Sequence, residues 1–93
     1  PVLVTIFDET LLNESYALSA ELRRAGLNVL CYPEPAKLQK QFKFADKMKV
    51  SVVVTVGPDE AANAQVAVKN LINGEQVTVK REAAAEVIRK IIG

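Results

Sequence analysis

Histidine and tryptophan are absent from this chain of 93 residues, and it has one cysteine. Without histidine the chain cannot carry an imidazole general base, a Ser-His-Asp triad or a Cys-His pair. A single cysteine forms neither an internal disulfide nor a thiolate zinc site, and such sparing use is typical of reducing compartments. We therefore expect a cytoplasmic protein whose function does not depend on these hydrolytic or metal-dependent sites.

Long apolar runs and glycine-rich turns are also missing. The longest apolar run is about six residues, whereas a membrane-spanning helix needs roughly twenty, so no membrane partner is expected. The four glycines are Gly26, Gly57, Gly74 and Gly93, and none of them follows the first predicted strand. The absence of a glycine-rich first turn excludes a dinucleotide-binding fold and a P-loop.

The residues that are present are those of a globular protein, with 49% hydrophobic and 25% charged residues and a net charge of +1. They predict a single domain over residues 1–93. Runs of β-branched residues predict three strands, and apolar residues at helical spacing predict three helices. In chain order these are residues 2–7 (strand), 10–25 (helix, capped by Thr10), 27–32 (strand), 36–48 (helix), 51–56 (strand) and 83–92 (helix).

A β-hairpin is predicted before the last helix. Apolar residues alternate with other residues on both sides of Asn73-Gly74, a pair that favours a type I′ turn in which both residues adopt positive φ. The element order βαβαβ, hairpin, helix predicts an α/β fold. Its three layers, α/β/α, enclose a five-stranded mixed sheet in which right-handed crossovers make the first three strands parallel.

Ligands of such folds bind at the carboxyl ends of the parallel strands. Asp8, Glu9 and Asp59 follow the first and third strands and raise the alternative of a receiver-type Mg²⁺ pocket. The sequence favours a structural role for them, with Asp8 and Glu9 capping the first helix and Asp59 starting a turn. The later parallel units that such a pocket needs are replaced by the hairpin.

The second helix is strongly basic. Residues 36–49 contain five lysines and one aspartate, a local charge of +4 in a chain of net charge +1. Lys40, Lys43 and Lys47 share the side opposite the apolar residues. A row of lysines is typical of a solvated helix face, and it is also what a phosphate backbone would contact.

Three sequence pieces occur together and in order: Lys37-Leu38-x-Lys40-Gln41 with Ala45-Asp46, Gly57-x-x-Glu60 after the third strand, and Val68-Lys69-x-Leu71 with Gly74-Glu75-Gln76. Through them the chain resembles the C-terminal anticodon-binding domain of class IIa aminoacyl-tRNA synthetases, and most closely that of histidyl-tRNA synthetase. Two departures stand out. Met48-Lys49 occupies a stretch where the family commonly has glycine, which suggests a different helix ending, and Asn63 stands where it often has glycine before the fourth strand.

The resemblance implies that this domain docks on the anticodon stem-loop of a tRNA and reads its bases. A separate catalytic domain of the parent synthetase would charge the tRNA with ATP and Mg²⁺, so no catalytic residue, metal ligand or cofactor is expected here. The other implied partners are that catalytic domain and a homodimer formed through the parent. The implied tRNA-binding residues are Phe7, Glu9, Asn13, Glu34, Lys37, Lys40, Gln41 and Lys43, with the Lys37/Gln41 pair implied most strongly.

The resemblance leaves the biological context open. The chain could be a fragment of a synthetase, an engineered piece or a free-standing paralogue. A paralogue of this fold could act as a regulatory module for protein interaction or dimerisation instead of binding RNA.

Overall fold

The computed structural model describes residues 1–92 of the chain. The predicted elements occur in the predicted order, but the strands are shorter than the sequence pattern indicated, and a short helix that was not among the three predicted ones follows the third strand. The elements are β1 (Val2–Val4), α1 (Leu12–Arg24), β2 (Val29–Cys31), α2 (Leu38–Lys47), β3 (Val52–Thr55), α3 (Pro58–Ala62), β4 (Gln65–Asn70), β5 (Gln76–Lys80) and α4 (Ala84–Ile92). Short 3₁₀ turns, Glu9–Leu11 and Arg81–Ala83, precede α1 and α4.

The strands form a mixed sheet in the order β2-β1-β3-β4-β5. β1 pairs in parallel with β2 and β3, whereas β4 pairs antiparallel with β3 and β5. β3 is the central strand, and Val52, Val53 and Val54 are at most 1% exposed. The predicted α/β fold with a five-stranded mixed sheet is confirmed.

Two apolar cores lie on opposite faces of the sheet, because successive side chains of a strand point to opposite sides. Val4 and Val54 pack with Leu18 of α1 and Ile88 of α4. Ala45 of α2 packs with residues of the first three strands on the other face, and this second core includes no residue of β4 or β5. The two crossover helices α1 and α2 therefore cover opposite faces, as the predicted three layers require.

α1 and α2 end in the same backbone motif, although only one of them has a glycine at the turn. After α1, Leu27 N–H donates to Leu22 C=O over 3.1 Å, and Gly26 has φ of +92°. After α2, Val50 N–H donates to Ala45 C=O over 3.0 Å, and Lys49 has φ of +55°. Both are Schellman endings, so Lys49 adopts the left-handed conformation that glycine occupies most easily.

A second non-glycine residue with positive φ follows α3. Asn63 was expected to take a glycine-like conformation before β4, but its φ is −107°. The left-handed residue is the next one, Ala64, with φ of +52°. Ala64 N–H contacts Ala61 C=O, and Ala64 C=O accepts from Arg81 N–H over 2.9 Å, so hydrogen bonds on both sides fix this conformation.

We expect Ala64→Gly to raise the free energy of unfolding by about 0.5–1 kcal/mol, because glycine adopts left-handed φ without the steric cost that a Cβ imposes. The Ala64 side chain is exposed, so no packing is lost. Urea denaturation measures the change. Ala17→Gly, at an exposed position inside α1, is the control and should lower stability by about 1 kcal/mol. Equal destabilisation by both substitutions would show that Ala64 is not strained.

The hairpin is confirmed, but the predicted type I′ turn is wrong. Gly74 has φ of +78°, whereas Asn73 does not have positive φ. The connection is longer than two residues: Asn70 N–H donates to Glu75 C=O, and Gly74 N–H donates to Asn70 C=O, both over 2.8 Å. The Asn70 and Asn73 side chains accept from the N–H groups of Ile72 and Glu75. These side-chain hydrogen bonds stabilise the wider loop, which the Asn-Gly pair alone does not reveal.

Arg81 joins the end of β5 to α1. Its guanidinium lies 2.7 Å from a carboxylate oxygen of Glu21 and 2.5 Å from one of Glu14. The hydrogen bond to Glu21, with a further contribution from Glu14, raises the pKa of Arg81. Arg81 is charged at any physiological pH, so this contact fixes the approach to α4 under all ordinary conditions.

Candidate nucleic-acid interface

A groove of about 720 Å³ lies at the carboxyl ends of β1 and β2. The segment after β1 forms one wall, and the segment between β2 and α2 forms the other. Among the predicted RNA-binding residues, four line this groove: Phe7, Glu9, Glu34 and Lys37. The sheet brings them together because β1 and β2 are parallel neighbours, so both of the segments that follow them emerge at the same edge.

Gln41 holds the two walls of the groove together from beneath. Its Oε1 accepts from Ile6 N–H over 2.7 Å, and its Nε2 donates to Ile6 C=O over 2.7 Å and to Ala36 C=O over 2.8 Å. The Gln41 side chain thereby ties the chain beyond β1 to the start of α2. It replaces the strand partner that Ile6 lacks.

Gln41, which the resemblance implied as an RNA-binding residue, is not exposed in this structure. Its relative exposure is 0%, and its amide oxygen and nitrogen already bond to protein groups. An RNA base could reach it only if α2 moved away from the sheet. Gln41 therefore positions the groove and does not line it.

The first wall of the groove is shaped by Asp8, which was expected to share the helix cap with Thr10. Asp8 Oδ1 accepts from Thr10 N–H over 2.9 Å and from Thr10 Oγ1 over 2.5 Å. Asp8 is thus the capping residue of the 3₁₀ turn, and the prediction that Thr10 caps the helix is wrong. The carboxylate is engaged within its own turn, which leaves Glu9 as the exposed acid on this wall.

Three predicted residues lie outside the groove but on exposed surface. Lys40 and Lys43 are exposed on α2, which begins directly after the groove residue Lys37. Asn13 is exposed in the first turn of α1. A polynucleotide that lay in the groove could therefore continue along the lysines of α2.

A second, smaller groove of about 170 Å³ shares Phe7 with the first. It is lined on its polar side by Thr55, Glu60, Lys69 and Gln76. Glu60 Oε1 accepts from Gly57 N–H over 3.0 Å, and Lys69 Nζ lies 4.9 Å from the centre of the Phe42 ring. Lys69 and Gln76 reach this groove from β4 and β5, two strands that contribute no residue to the core under α2.

Sequence reasoning did not include Glu60, Lys69 or Gln76 among the site residues. A signal was present for all three, since each belongs to a sequence piece that carries the family resemblance. Alternation along β4 also places Lys69 on the face opposite the buried Val68. Placing all three beside Phe7 requires the strand order, which puts β4 and β5 on the same side of β1 as β3.

Phe7 is the aromatic residue that both grooves share, and it is 40% exposed. Tyr32, which also follows a parallel strand, is 6% exposed and packs edge-on against Phe44 with ring centres 5.4 Å apart. Phe7 is thus available for stacking on an unpaired base, whereas Tyr32 belongs to the core.

Within residues 1–92 no group of three or more His, Cys, Asp or Glu side chains is arranged to hold a metal ion. Asp8 and Glu9 lie in the first groove, and Asp59 lies in the first turn of α3. Over the same residues, no helix has the length and apolar character needed to cross a bilayer.

The model of the family described as "Anticodon binding domain" matches residues 1–91. The chain belongs to this family. The resemblance inferred from the sequence pieces above is therefore confirmed.

Histidine–tRNA ligases are among the relatives of this anticodon binding domain. It is 35% identical over 91 residues to the enzyme of Cytophaga hutchinsonii, covering 98% of this chain and 19% of that one. It is 39% identical over 89 residues to that of Nostoc sp. PCC 7120, covering 96% and 19%. The chain thus spans about a fifth of the length of the curated relatives it matches.

Solved structures agree with this assignment. The crystal structure of histidyl-tRNA synthetase from Nostoc sp. PCC 7120 superposes with a TM-score of 0.95 and 38% identity, over 99% of this chain and 22% of that one. The RNA binding domain of threonyl-tRNA synthetase from Cryptosporidium parvum superposes with a TM-score of 0.88 at 15% identity, over 97% and 23%. The second likeness concerns the fold alone.

Proposed function

We propose that this domain binds the anticodon stem-loop of a histidine tRNA and orients the tRNA for aminoacylation by the rest of a histidyl-tRNA synthetase. The observation that carries the proposal is the groove between the ends of β1 and β2, which continues into the exposed lysines of α2. A stacking aromatic ring, carboxylates and ammonium groups border one continuous surface. These are the groups that single-stranded RNA requires.

Each class of side chain has a distinct role in the proposed complex. Phe7 stacks on an unpaired base. Glu9 and Glu34 accept hydrogen bonds from base amino or imino groups, and thereby contribute to the choice of sequence. Lys37, Lys40 and Lys43 contact phosphates; they fix the register of the loop without reading it.

The second groove extends the base-reading surface beyond the residues that the sequence predicted. It borders Phe7, so a base next to the stacked one would reach Glu60, Lys69 and Gln76. Glu60 has one carboxylate oxygen engaged by Gly57 N–H, and its other oxygen has no such bond. An acceptor, a cation and an amide within one small groove can distinguish bases by their edges.

The proposal is tested by titrating the ¹⁵N-labelled domain with an anticodon stem-loop RNA of histidine tRNA. Amide shifts should be confined to the two grooves and the exposed face of α2. Affinity should fall steeply as salt rises, because each lysine–phosphate contact releases condensed counterions. The matched control is the same stem with a scrambled loop. It should bind more weakly, and the amide shifts of Glu34 and Glu60 should be reduced more than those of the lysines of α2.

Absence of shifts with either RNA at low salt would contradict RNA binding and favour the alternative of a protein-interaction module. In the proposed function this domain itself needs no cofactor, and ATP and Mg²⁺ belong to the catalytic part of the parent. The site of action is then the cytoplasm, where tRNA is charged. Residues 1–93 act as a single binding domain.

A further inference from the structure

The outer edge of β5 presents backbone groups that have no strand partner within residues 1–92. Asn70 N–H donates to Glu75 C=O, and Arg81 N–H donates to Ala64 C=O. In an antiparallel ladder such bonded pairs alternate with unbonded ones, so Glu75, Val77, Val79 and Arg81 direct their backbone groups to β4. The N–H and C=O groups of Gln76, Thr78 and Lys80 consequently point away from the sheet.

Successive side chains of β5 lie on opposite faces of the sheet. Val79 packs against the core that contains α4, so Glu75, Val77 and Arg81 share that face by strand alternation. Val77 is 47% exposed, although it lines a groove of about 270 Å³ with Val87 and Ile91. An unpaired edge with a half-exposed valine is a surface on which another strand can pair.

We propose that β5 pairs with β5 of a second copy of this chain, antiparallel and centred on Thr78. In this register Thr78 lies opposite the second copy's Thr78, and Gln76 lies opposite its Lys80. The outward groups of both strands are then fully used, in about six backbone hydrogen bonds. A register shifted by two residues would use fewer of them, so the centred arrangement is favoured.

The sequence of this edge is complementary to itself in the same register. Residues 75–81 read Glu-Gln-Val-Thr-Val-Lys-Arg. Val77 meets the second copy's Val79 twice because of the two-fold axis, on the face where Glu75 lies opposite Arg81, whose guanidinium stays bonded to Glu14 and Glu21 of its own chain. Apolar residues thus face apolar residues, and no pair of like charges meets across the two strands. This symmetry indicates a second copy as the occupant in place of an unrelated strand.

The pairing would join two sheets into a continuous one, with both α4 helices on the same face. A five-residue edge buries less surface than a standard protein interface, so the dimer should be weak and dependent on concentration. The proposal does not rest on RNA binding, since the bonds involved are those of the β5 backbone.

Hydrogen exchange of individual amides is the sharpest test. Val77 and Val79 amides are bonded to β4 in the monomer and should be protected at every concentration. The amides of Gln76, Thr78 and Lys80 should become protected only as the concentration rises from about 10 μM to about 1 mM, in parallel with a monomer–dimer transition in sedimentation equilibrium. Constant exchange of these three amides over that range would overturn the proposal.

Thr78→Pro is a second test of the proposed dimer, because proline removes an N–H group that does not bond to β4. It should leave the chain monomeric at every concentration, while Thr78→Val, which keeps the N–H, should still dimerise. Self-association of the proline variant at wild-type strength would show that another surface is responsible and would also overturn the proposal. The exchange pattern of the wild-type chain decides the question even where the proline variant folds poorly.

Discussion

Gln41→Leu is expected to lower the free energy of unfolding by about 3–5 kcal/mol. Leucine fills a similar volume but forms none of the three hydrogen bonds that Gln41 makes to Ile6 and Ala36. Ile6 is completely buried, so its N–H and C=O would be left without partners and without access to water. Each such orphaned group costs about 1–3 kcal/mol. The free energy of unfolding of a typical domain is about 5–15 kcal/mol, so this loss is severe.

Gln41→Leu should also disturb the first groove of the candidate interface. The chain from Ile6 onward carries Phe7 and Asp8, and Gln41 joins it to the start of α2. When this tie is lost, the two walls of the first groove are no longer held at one separation. RNA affinity should then fall because the groove walls are less well fixed, although Gln41 itself does not contact the RNA.

Gln41→Glu separates the hydrogen-bond contribution from that of shape. The carboxylate can still accept from Ile6 N–H, but it cannot donate to Ile6 C=O or Ala36 C=O. Burial beside two carbonyls raises the pKa of this carboxyl above its ordinary value of about 4.3. The folded state therefore binds a proton more tightly than the unfolded state, and the variant should be most stable at low pH. It should lose stability as pH rises through and above about 4.3.

Gln39→Leu is the matched control, because Gln39 is exposed on the same helix. Its effect should stay within about 0.5 kcal/mol. Urea denaturation of the three variants at pH 7, with Gln41→Glu repeated at pH 4, measures the series. If Gln41→Leu were as stable as Gln39→Leu, the buried amide would have no role in holding the fold together.

The sequence predicted the fold better than it predicted the position of the Gln41 side chain. Most helices and strands were predictable, because the helices have apolar residues at helical spacing and the first three strands are short runs rich in β-branched residues. Gln41 was placed on the RNA surface because it lies within a family motif and because an amide can both donate and accept hydrogen bonds. Its spacing pointed the other way: with Leu38 and Ala45 it falls on the buried face of α2, at positions i, i+3 and i+7.

The second groove could not be predicted from the sequence for a different reason. Phe7, Glu60 and Lys69 are far apart along the chain, and the strand order β2-β1-β3-β4-β5 brings them together. Nothing local in the sequence fixes that order for the hairpin strands. Lysine and alanine have no preference for positive φ, so the left-handed Lys49 and Ala64 were also not evident from residue type. Local hydrogen bonds of the helix ending hold Lys49, and Ala64 is held in part by Arg81 N–H.

Reversing the charge of Lys40 and Lys43 together is expected to weaken binding of the anticodon stem-loop by well over tenfold, equivalent to about 1.4 kcal/mol or more. Both side chains are exposed on α2, so the fold should be retained and stability should change by less than about 0.5 kcal/mol. If each lysine contacts one phosphate, the slope of log affinity against log salt should decrease by about 0.7–0.9 per residue. Fluorescence anisotropy at several salt concentrations measures both quantities.

The control must separate a local contact from the effect of net charge. Arg24→Glu with Lys90→Glu alters two exposed cations on α1 and α4, on the other side of the sheet from α2. Both double variants lower the net charge from +1 to −3. Equal losses of affinity would mean that the lysines of α2 act only through the overall field, and the proposed interface on α2 would then be wrong.

Position along α2 should also matter, because only its start borders the groove. Lys37 lines the groove itself, whereas Lys47 lies ten residues further on, roughly 15 Å along the helix axis. That separation exceeds the screening length of about 8 Å at physiological salt. Single substitutions by glutamate should therefore weaken binding in the order Lys37, Lys40, Lys43 and Lys47, with the last close to neutral. A flat series would indicate that the RNA lies along the whole helix and not across its amino-terminal end.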